Sequence, residues 1–379
     1  MRDQESPAHP AMPPTRPDEM SVDSLNVGGY SLVIDARSPH EYADDHIPGA
    51  VNLPVVDDAQ FAEVGTTYKA DRHRAYVIGA QFALRNIADH VGTLIQSFPA
   101  DARFLVYCYR GGKRSRAWAD PLRAIGYQTD VLPGGWKAYR RAVLNDLEVL
   151  PRRFNFWVVG GATGSGKTRL LQALTALGEQ VVDLEAIAAH KGSLLGLEPG
   201  SKQPTQKLFD SELLRQLRTL DLARPVWVEA ESKKIGQLQI PEALMLAMNA
   251  AQRFEISAPI AERVRLLQEE YSHFTSEPVQ VVEHLLPLKP LVGAKELEAW
   301  GQLAAERQID ALVTRLLQNH YDPSYGRSRD RRTGVCPPRV PIELPDLTLA
   351  SIESAARSLV REVAERSKQV VACGEAKCR

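Results

Sequence analysis

The stretch FNFWVVGGATGSGKTRLLQALTAL, residues 154–177, restricts the fold more than any other: an apolar run enters the glycine loop Gly161 to Thr168, and a helical pattern leaves it. A loop of the form GxxxxGK[ST] holds phosphate with its own N–H groups and the first turn of the following helix, so it needs a strand before it and a helix after it. The surrounding sequence predicts a parallel α/β sheet, with further strands at QVVDL (180–184) and PVWVEAE (225–231) and a helix KLFDSELLRQLRTL between them. Gly161, Gly164 and Gly166 let N–H groups turn inward around Ser165, and Lys167 reaches the outer phosphates. The hydroxyl of Thr168 is the group that would hold a magnesium ion. Glu229 and Glu231 after one strand, and Asp183 after another, stand where an acidic residue would order the water of such an ion, or equally as solvated strand-end charges. The loop grips polyphosphate, and a prenyl diphosphate presents the same anionic head as a nucleotide.

A second anion-holding loop, CYRGGKRS, runs from Cys108 to Ser115 after the apolar strand FLVY. Converging N–H groups, a helix N-terminus and the charges of Arg110, Lys113 and Arg114 favour the nucleophilic form of a thiol and bind a tetrahedral anion beside it. Cys108 is therefore placed to attack an anionic sulfur, selenium or phosphorus donor. The bland alternative is a buried strand-end cysteine. Three cations and two glycines within six residues argue for the functional reading.

A chain of 379 residues exceeds one ordinary core and implies two or three domains. Residues 1–22 hold five prolines among polar residues and read as a disordered tail; 23–145 form a first α/β domain, 146–255 a second, and 256–379 a helical region. In the last helix Ile352, Ala355, Ala356, Leu359, Val360 and Val363 recur at spacings of three and four. No apolar run approaches the roughly 20 residues of a membrane span, so no membrane partner and a cytoplasmic location are expected. The net charge of -1 leaves nucleic acid to be held by local patches. The four cysteines fit a reducing compartment, and Cys336, Cys373 and Cys378 match no zinc spacing.

Two segments, VIDARSPHEYADDHIPGAVNLP (33–54) and VLPGGWKAYRR (131–141), resemble the signature segments of the rhodanese domain, with Asp35, Arg37, Glu41, His46, Ile47, Pro48 and Gly49 in order. The rhodanese loop usually places four residues between cysteine and arginine, whereas five separate Cys108 from Arg114, as in the dual-specificity phosphatases. A longer ring suits a larger anion such as phosphate or selenophosphate. Together with the glycine loop and AHKGSLLG (189–196), SKQPTQKLFDSEL (201–213) and VWVEAESKKIGQLQIP (226–241), these segments make the chain resemble the bacterial tRNA 2-selenouridine synthase family.

That resemblance implies a transferase acting on the wobble 2-thiouridine of lysine, glutamate and glutamine tRNAs. Geranyl diphosphate first alkylates the sulfur, and selenium from selenophosphate then displaces the S-geranyl group. It further implies that Cys108 carries selenium as an S-selanylcysteine with Arg110, Lys113 and Arg114 around the departing phosphate, that the glycine loop holds the diphosphate, and that no cofactor is tightly bound. On the same resemblance His190, Lys191, Ser193, Gln203 and Gln206, which belong to the family-like segments, are expected to line the second site, with Asp183, Glu229 and Glu231 as further candidates. For tRNA, the basic segment with Arg327, Arg329, Arg331 and Arg332 beside Tyr325 is the best patch, and Lys233 with Lys234 is a second. Two other classes stay open on the residues: a sulfurtransferase or phosphatase fused to an NTP-dependent kinase, and a non-enzymatic RNA adaptor using the loops as anion sites.

Overall fold

The computed structural model describes residues 27–191, 202–271, 276–330 and 338–376, and these divide into two compact units meeting in sequence at Val143 and Leu144. The tail expected over residues 1–22 lies outside the described residues.

The first unit runs β1 (Leu32–Asp35), α1 (Pro39–Asp44), β2 (Val51–Asn52), α2 (Asp58–Ala70), α3 (Arg72–Thr93), β3 (Arg103–Tyr107), α4 (Lys113–Ala124) and β4 (Gln128–Val131). A further helix, α5 (Gly135–Val149), begins in it and runs on into the second unit. The four strands pair in parallel in the order β2-β1-β3-β4. Phe104, Leu105, Val106 and Tyr107 of β3 are all buried, as expected for a parallel strand covered on both faces. Trp118 and Leu122 from α4 pack with Ala83 and Ile87 from α3 over the β3 face. Chain-local signals start the helices: Ser38 and Glu41 form a capping box on α1 with Pro39 in its first turn, and Asp57 with Gln60 does the same for α2.

The second unit contains β5 (Phe156–Gly161), α6 (Lys167–Ala176), β6 (Gln180–Val182), α7 (Leu184–Ile187), α8 (Gln206–Arg218), β7 (Val226–Glu229), the hairpin β8 (Lys234–Ile235) and β9 (Leu238–Gln239), α9 (Glu242–Ala250), β10 (Gln252–Ser257), α10 (Ile260–Glu270) and β11 (Arg339–Glu343). Its main sheet is parallel in the order β11-β10-β5-β7-β6. The glycine loop thus follows the central strand, where the chain's connections change sides and where open α/β sheets bind ligands. Trp157, Trp227 and Phe254, on the adjacent strands β5, β7 and β10, stack at centroid distances of 5.6 to 6.3 Å. Leu170, Leu171 and Leu174 of α6 cover them together with Ile352, Ala356, Leu359 and Val363 of the last helix, Leu349–Ala376. Helices between residues 278 and 316 build a separate core around Trp300.

The C-terminal part is helical but is not helical alone. The boundary expected near residue 255 falls inside β10, and β11 adds an edge strand to the same sheet. Pro341 within RVPIE argues against a strand by pattern, yet an edge strand, paired on one side only, tolerates a residue without an N–H. Among the described residues no helix is long and apolar enough to cross a membrane.

Candidate functional site

In the first unit Cys108 follows β3 directly and is 3% exposed. The turn after β4 braces its loop: the N–H of Trp136 donates to the Cys108 carbonyl at 2.8 Å, and that of Lys137 to Tyr109 at 3.0 Å. At Gly135, where φ is +57°, any Cβ would fall on the Cys108 carbonyl oxygen, so this close approach admits only glycine. The loop then enters α4, whose first N–H groups have no acceptor within the helix.

The three cations expected around the thiol have partners of their own. Arg110 lies over the Tyr109 ring at 5.7 Å, Lys113 over the Tyr76 ring at 3.5 Å, and Arg114 forks onto Glu41, with Nη2 donating to Oε1 at 3.1 Å. An incoming anion would draw on side chains already seated beside the loop. Ser115, the next residue, is fully buried with a hydroxyl that has no hydrogen-bond partner among the described residues.

Framework contacts account for several residues of the first signature segment. Arg37 donates to Asp35 through Nε at 3.0 Å and through Nη2 at 2.6 Å, and Nη2 also donates to the Asp45 carbonyl at 2.6 Å. The indole of Trp136 donates to the Asp45 carboxylate at 2.8 Å, while the Tyr107 hydroxyl accepts the Ile47 N–H at 3.1 Å. His46 stacks on Tyr42 at 3.9 Å. Since Arg37 and Asp35 are 2% and 0% exposed, Arg37→Ala strands a buried carboxylate and should cost about 3–5 kcal/mol, read by chemical denaturation.

In the second unit Lys167 folds back to donate to the Gly161 carbonyl at 3.1 Å. Gly164 has φ +73°, and a Cβ there would meet the Leu267 side chain at 2.8 Å, so α10 leans directly on the loop. Ser165 is buried and its hydroxyl is unpartnered. Around Lys167 the structure gathers more carboxylates than the sequence suggests. Burial, then the charge of Glu231, pushes Glu185 up to about 8. Burial also holds Glu229 well above the carboxylate range and raises Glu231 and Glu270.

Two of the expected magnesium-side carboxylates are engaged. Asp183 caps α7 by accepting the Ala186 N–H at 2.8 Å, and Glu229 accepts the Glu185 N–H at 2.7 Å. Among the described residues no group of three His, Cys, Asp or Glu could hold a metal ion.

The other expected second-site residues are largely structural. Gln203 donates to the Ile235 carbonyl at 3.0 Å and accepts the Gln237 N–H at 2.8 Å, and Gln206 brackets Gln239 in the same way. His190 is buried, its pKa is lowered by that burial, and its Nδ1 has no partner among the described residues. Lys191 donates to the Glu270 carbonyl and lies over Tyr271. Lys233, Lys234 and Arg327 are exposed. Ser193, Arg331, Arg332, Cys336 and Cys378 lie outside the described residues, as do the side chains of Arg329 and Cys373.

Tyr325 departs from its expected part as an exposed aromatic beside the basic patch. Its hydroxyl accepts the N–H of Gly161, the first loop glycine, at 2.9 Å and donates to Glu255 on β10. One turn earlier Asp322 receives both Nη groups of the buried Arg263, at 3.0 and 2.6 Å, while Arg263 Nε donates to the Thr163 carbonyl of the loop at 2.9 Å. No motif flags these residues; the only sequence trace is that Asp322 and Tyr325 stand three apart, on one helix face.

A parallel α/β domain presenting a loop cysteine, followed by an α/β domain with a phosphate loop after its central strand, defines a rhodanese-like domain joined to a P-loop domain. Family models agree: the rhodanese-like domain matches residues 21–142, and the tRNA 2-selenouridine synthase AAA domain matches residues 154–284. The chain is 31% identical over 272 residues to the tRNA 2-selenouridine synthase of Nitrosomonas europaea, covering 70% of each chain. It is 30% identical over 348 residues to that of Cupriavidus necator, covering 84% of this chain and 93% of the relative. With that of Bdellovibrio bacteriovorus the identity is 30% over 342 residues, or 79% and 89% of the two chains. The chain belongs to the tRNA 2-selenouridine synthase family.

Proposed function

We propose that the chain converts the wobble 2-thiouridine of lysine, glutamate and glutamine tRNAs to 2-selenouridine in two transfers. In the first, the thiocarbonyl sulfur attacks the terminal carbon of geranyl diphosphate; the S–C bond forms, the C–O bond breaks, and diphosphate leaves into the glycine loop. Lys167, Thr168 and the loop N–H groups oppose the charge that grows on the leaving oxygen. In the second, a C2–Se bond forms, the C2–S bond breaks and geranylthiol departs. Alkylation turns a poor leaving group into a competent one, which accounts for two anion-holding loops in one chain.

Cys108 carries the selenium as an S-selanylcysteine. Selenium bound to sulfur stands two electrons above the selenide of selenophosphate, so loading with release of phosphate needs a disulfide oxidant, and discharge onto C2 recovers those electrons from the resulting thiols. The thiol–disulfide couple closes the electron count, and neither transfer needs a tightly bound cofactor. The tRNA backbone is held by Lys233, Lys234 and the segment with Arg327, Arg329, Arg331 and Arg332. The single observation that carries this reading is a buried loop thiol in one unit and a phosphate loop in the other, within a chain that spans most of its relatives' length. Incubation with 2-thiouridine tRNA, geranyl diphosphate and selenophosphate, followed by nucleoside mass analysis, tests it: absence of both modified nucleosides would refute it.

Binding of the diphosphate should depend on pH through Glu185. Its pKa of about 8 means that it is mostly neutral at pH 7 and charged at pH 9. An anionic ligand favours the neutral form, so affinity should fall as pH rises through 8. With one pKa unit of coupling the loss from pH 7 to 9 is about fivefold. Glu185→Gln stays neutral throughout, and calorimetry should find that this part of the pH dependence has gone.

A further inference from the structure

The helix Asp322–Asp330 holds the phosphate loop at both ends of its first turn. Tyr325 takes the N–H of Gly161, and Asp322 grips the Thr163 carbonyl through Arg263. Behind Tyr325, Glu255 is paired in register with Gly160 and accepts the Tyr325 hydroxyl, while its second oxygen is buried without a partner among the described residues. Burial, with Glu255 next in weight, keeps the Tyr325 hydroxyl protonated, so it always has a proton for Glu255 and a lone pair for Gly161. A Cβ on Gly160 would meet Glu255 Oε2 at 2.6 Å, which leaves this layer no slack. Two residues beyond Tyr325 the same helix exposes Arg327, whose guanidinium donates to Ser324 at 2.9 Å.

We infer that Asp322 and Tyr325 are positioning residues for the phosphate loop, and that the helix carrying them couples the loop to a polynucleotide phosphate drawn to Arg327. Tyr325 holds the loop's first glycine directly, and Asp322 holds its Thr163 carbonyl through Arg263 of α10, so ordering the helix that carries both orders the loop. A nucleic-acid backbone ordering the Arg327 end should therefore raise affinity for a diphosphate head, and by linkage a bound diphosphate should raise affinity for the nucleic acid by the same factor. This inference rests on the reading of the glycine loop as a diphosphate site.

The test uses the full chain with inorganic diphosphate as probe, titrated calorimetrically with and without an unmodified glutamate tRNA. The wild type should bind diphosphate and bind it more tightly when tRNA is present. Tyr325→Phe keeps the ring and removes the hydroxyl, and should weaken diphosphate binding by about fivefold. It should also bring the tRNA-dependent gain close to one. Asp322→Asn should do the same through Arg263, and it keeps the test open should Tyr325→Phe fold poorly. The alkylation rate of Cys108 should not change. Equal diphosphate affinity and an equal tRNA-dependent gain in wild type and folded variants would overturn the positioning role while leaving the diphosphate site standing. If the wild type itself ignored diphosphate, the loop reading would fail and this inference with it.

Discussion

Replacing Cys108 with serine should leave S-geranylated tRNA as the end product. The hydroxyl occupies the same buried point after β3 but neither ionises as readily nor bonds selenium as a soft nucleophile does, so 2-selenouridine formation should drop by on the order of 10³-fold or more. On the proposed division of labour geranylation is the work of the glycine loop and should stay within about twofold of wild type. Nucleoside mass analysis of the reacted tRNA reads both quantities at once. Equal loss of both products would contradict separate sites.

Lys167→Ala should produce the opposite pattern. Lys167 is half-buried and donates to the Gly161 carbonyl, and on the proposed reading its removal takes away one charge-matched donor to the leaving diphosphate. Loss of one such preorganised donor costs about 10²–10³ in rate, and the geranyl step should slow by that factor. Supplied with chemically prepared S-geranyl tRNA, the variant should form 2-selenouridine at the wild-type rate. A matching slowdown on that substrate would mean that the phosphate loop serves the selenium step as well.

Much of this architecture is written in local sequence. The apolar runs before Cys108 and Gly161 and the three-and-four spacing from Ile352 to Val363 each specify an element by a pattern that tertiary contacts then reinforce. What stays hidden depends on distant partners. Arg114 reads from its spacing as an anion ligand, but its resting partner Glu41 lies 73 residues earlier, and Tyr325 reads as the aromatic beside a basic patch until its hydroxyl is found 164 residues away on Gly161. Glu185 carries no motif, and only its burial among Glu231, Asp183 and Glu270 makes it unusual. Spacing along the chain reports which chemistry is available, whereas the resting partner of each charge is set by folding.

The most direct measurement of the division of labour is intact-peptide mass spectrometry of the Cys108 segment after incubation with selenophosphate and a disulfide, in the wild type and in Lys167→Ala. The account predicts one selenium on Cys108 in both proteins, discharged when S-geranyl tRNA and thiol are added. A phosphoryl group on Cys108 instead of selenium, or an unmodified Cys108 while 2-selenouridine still accumulates, would contradict it.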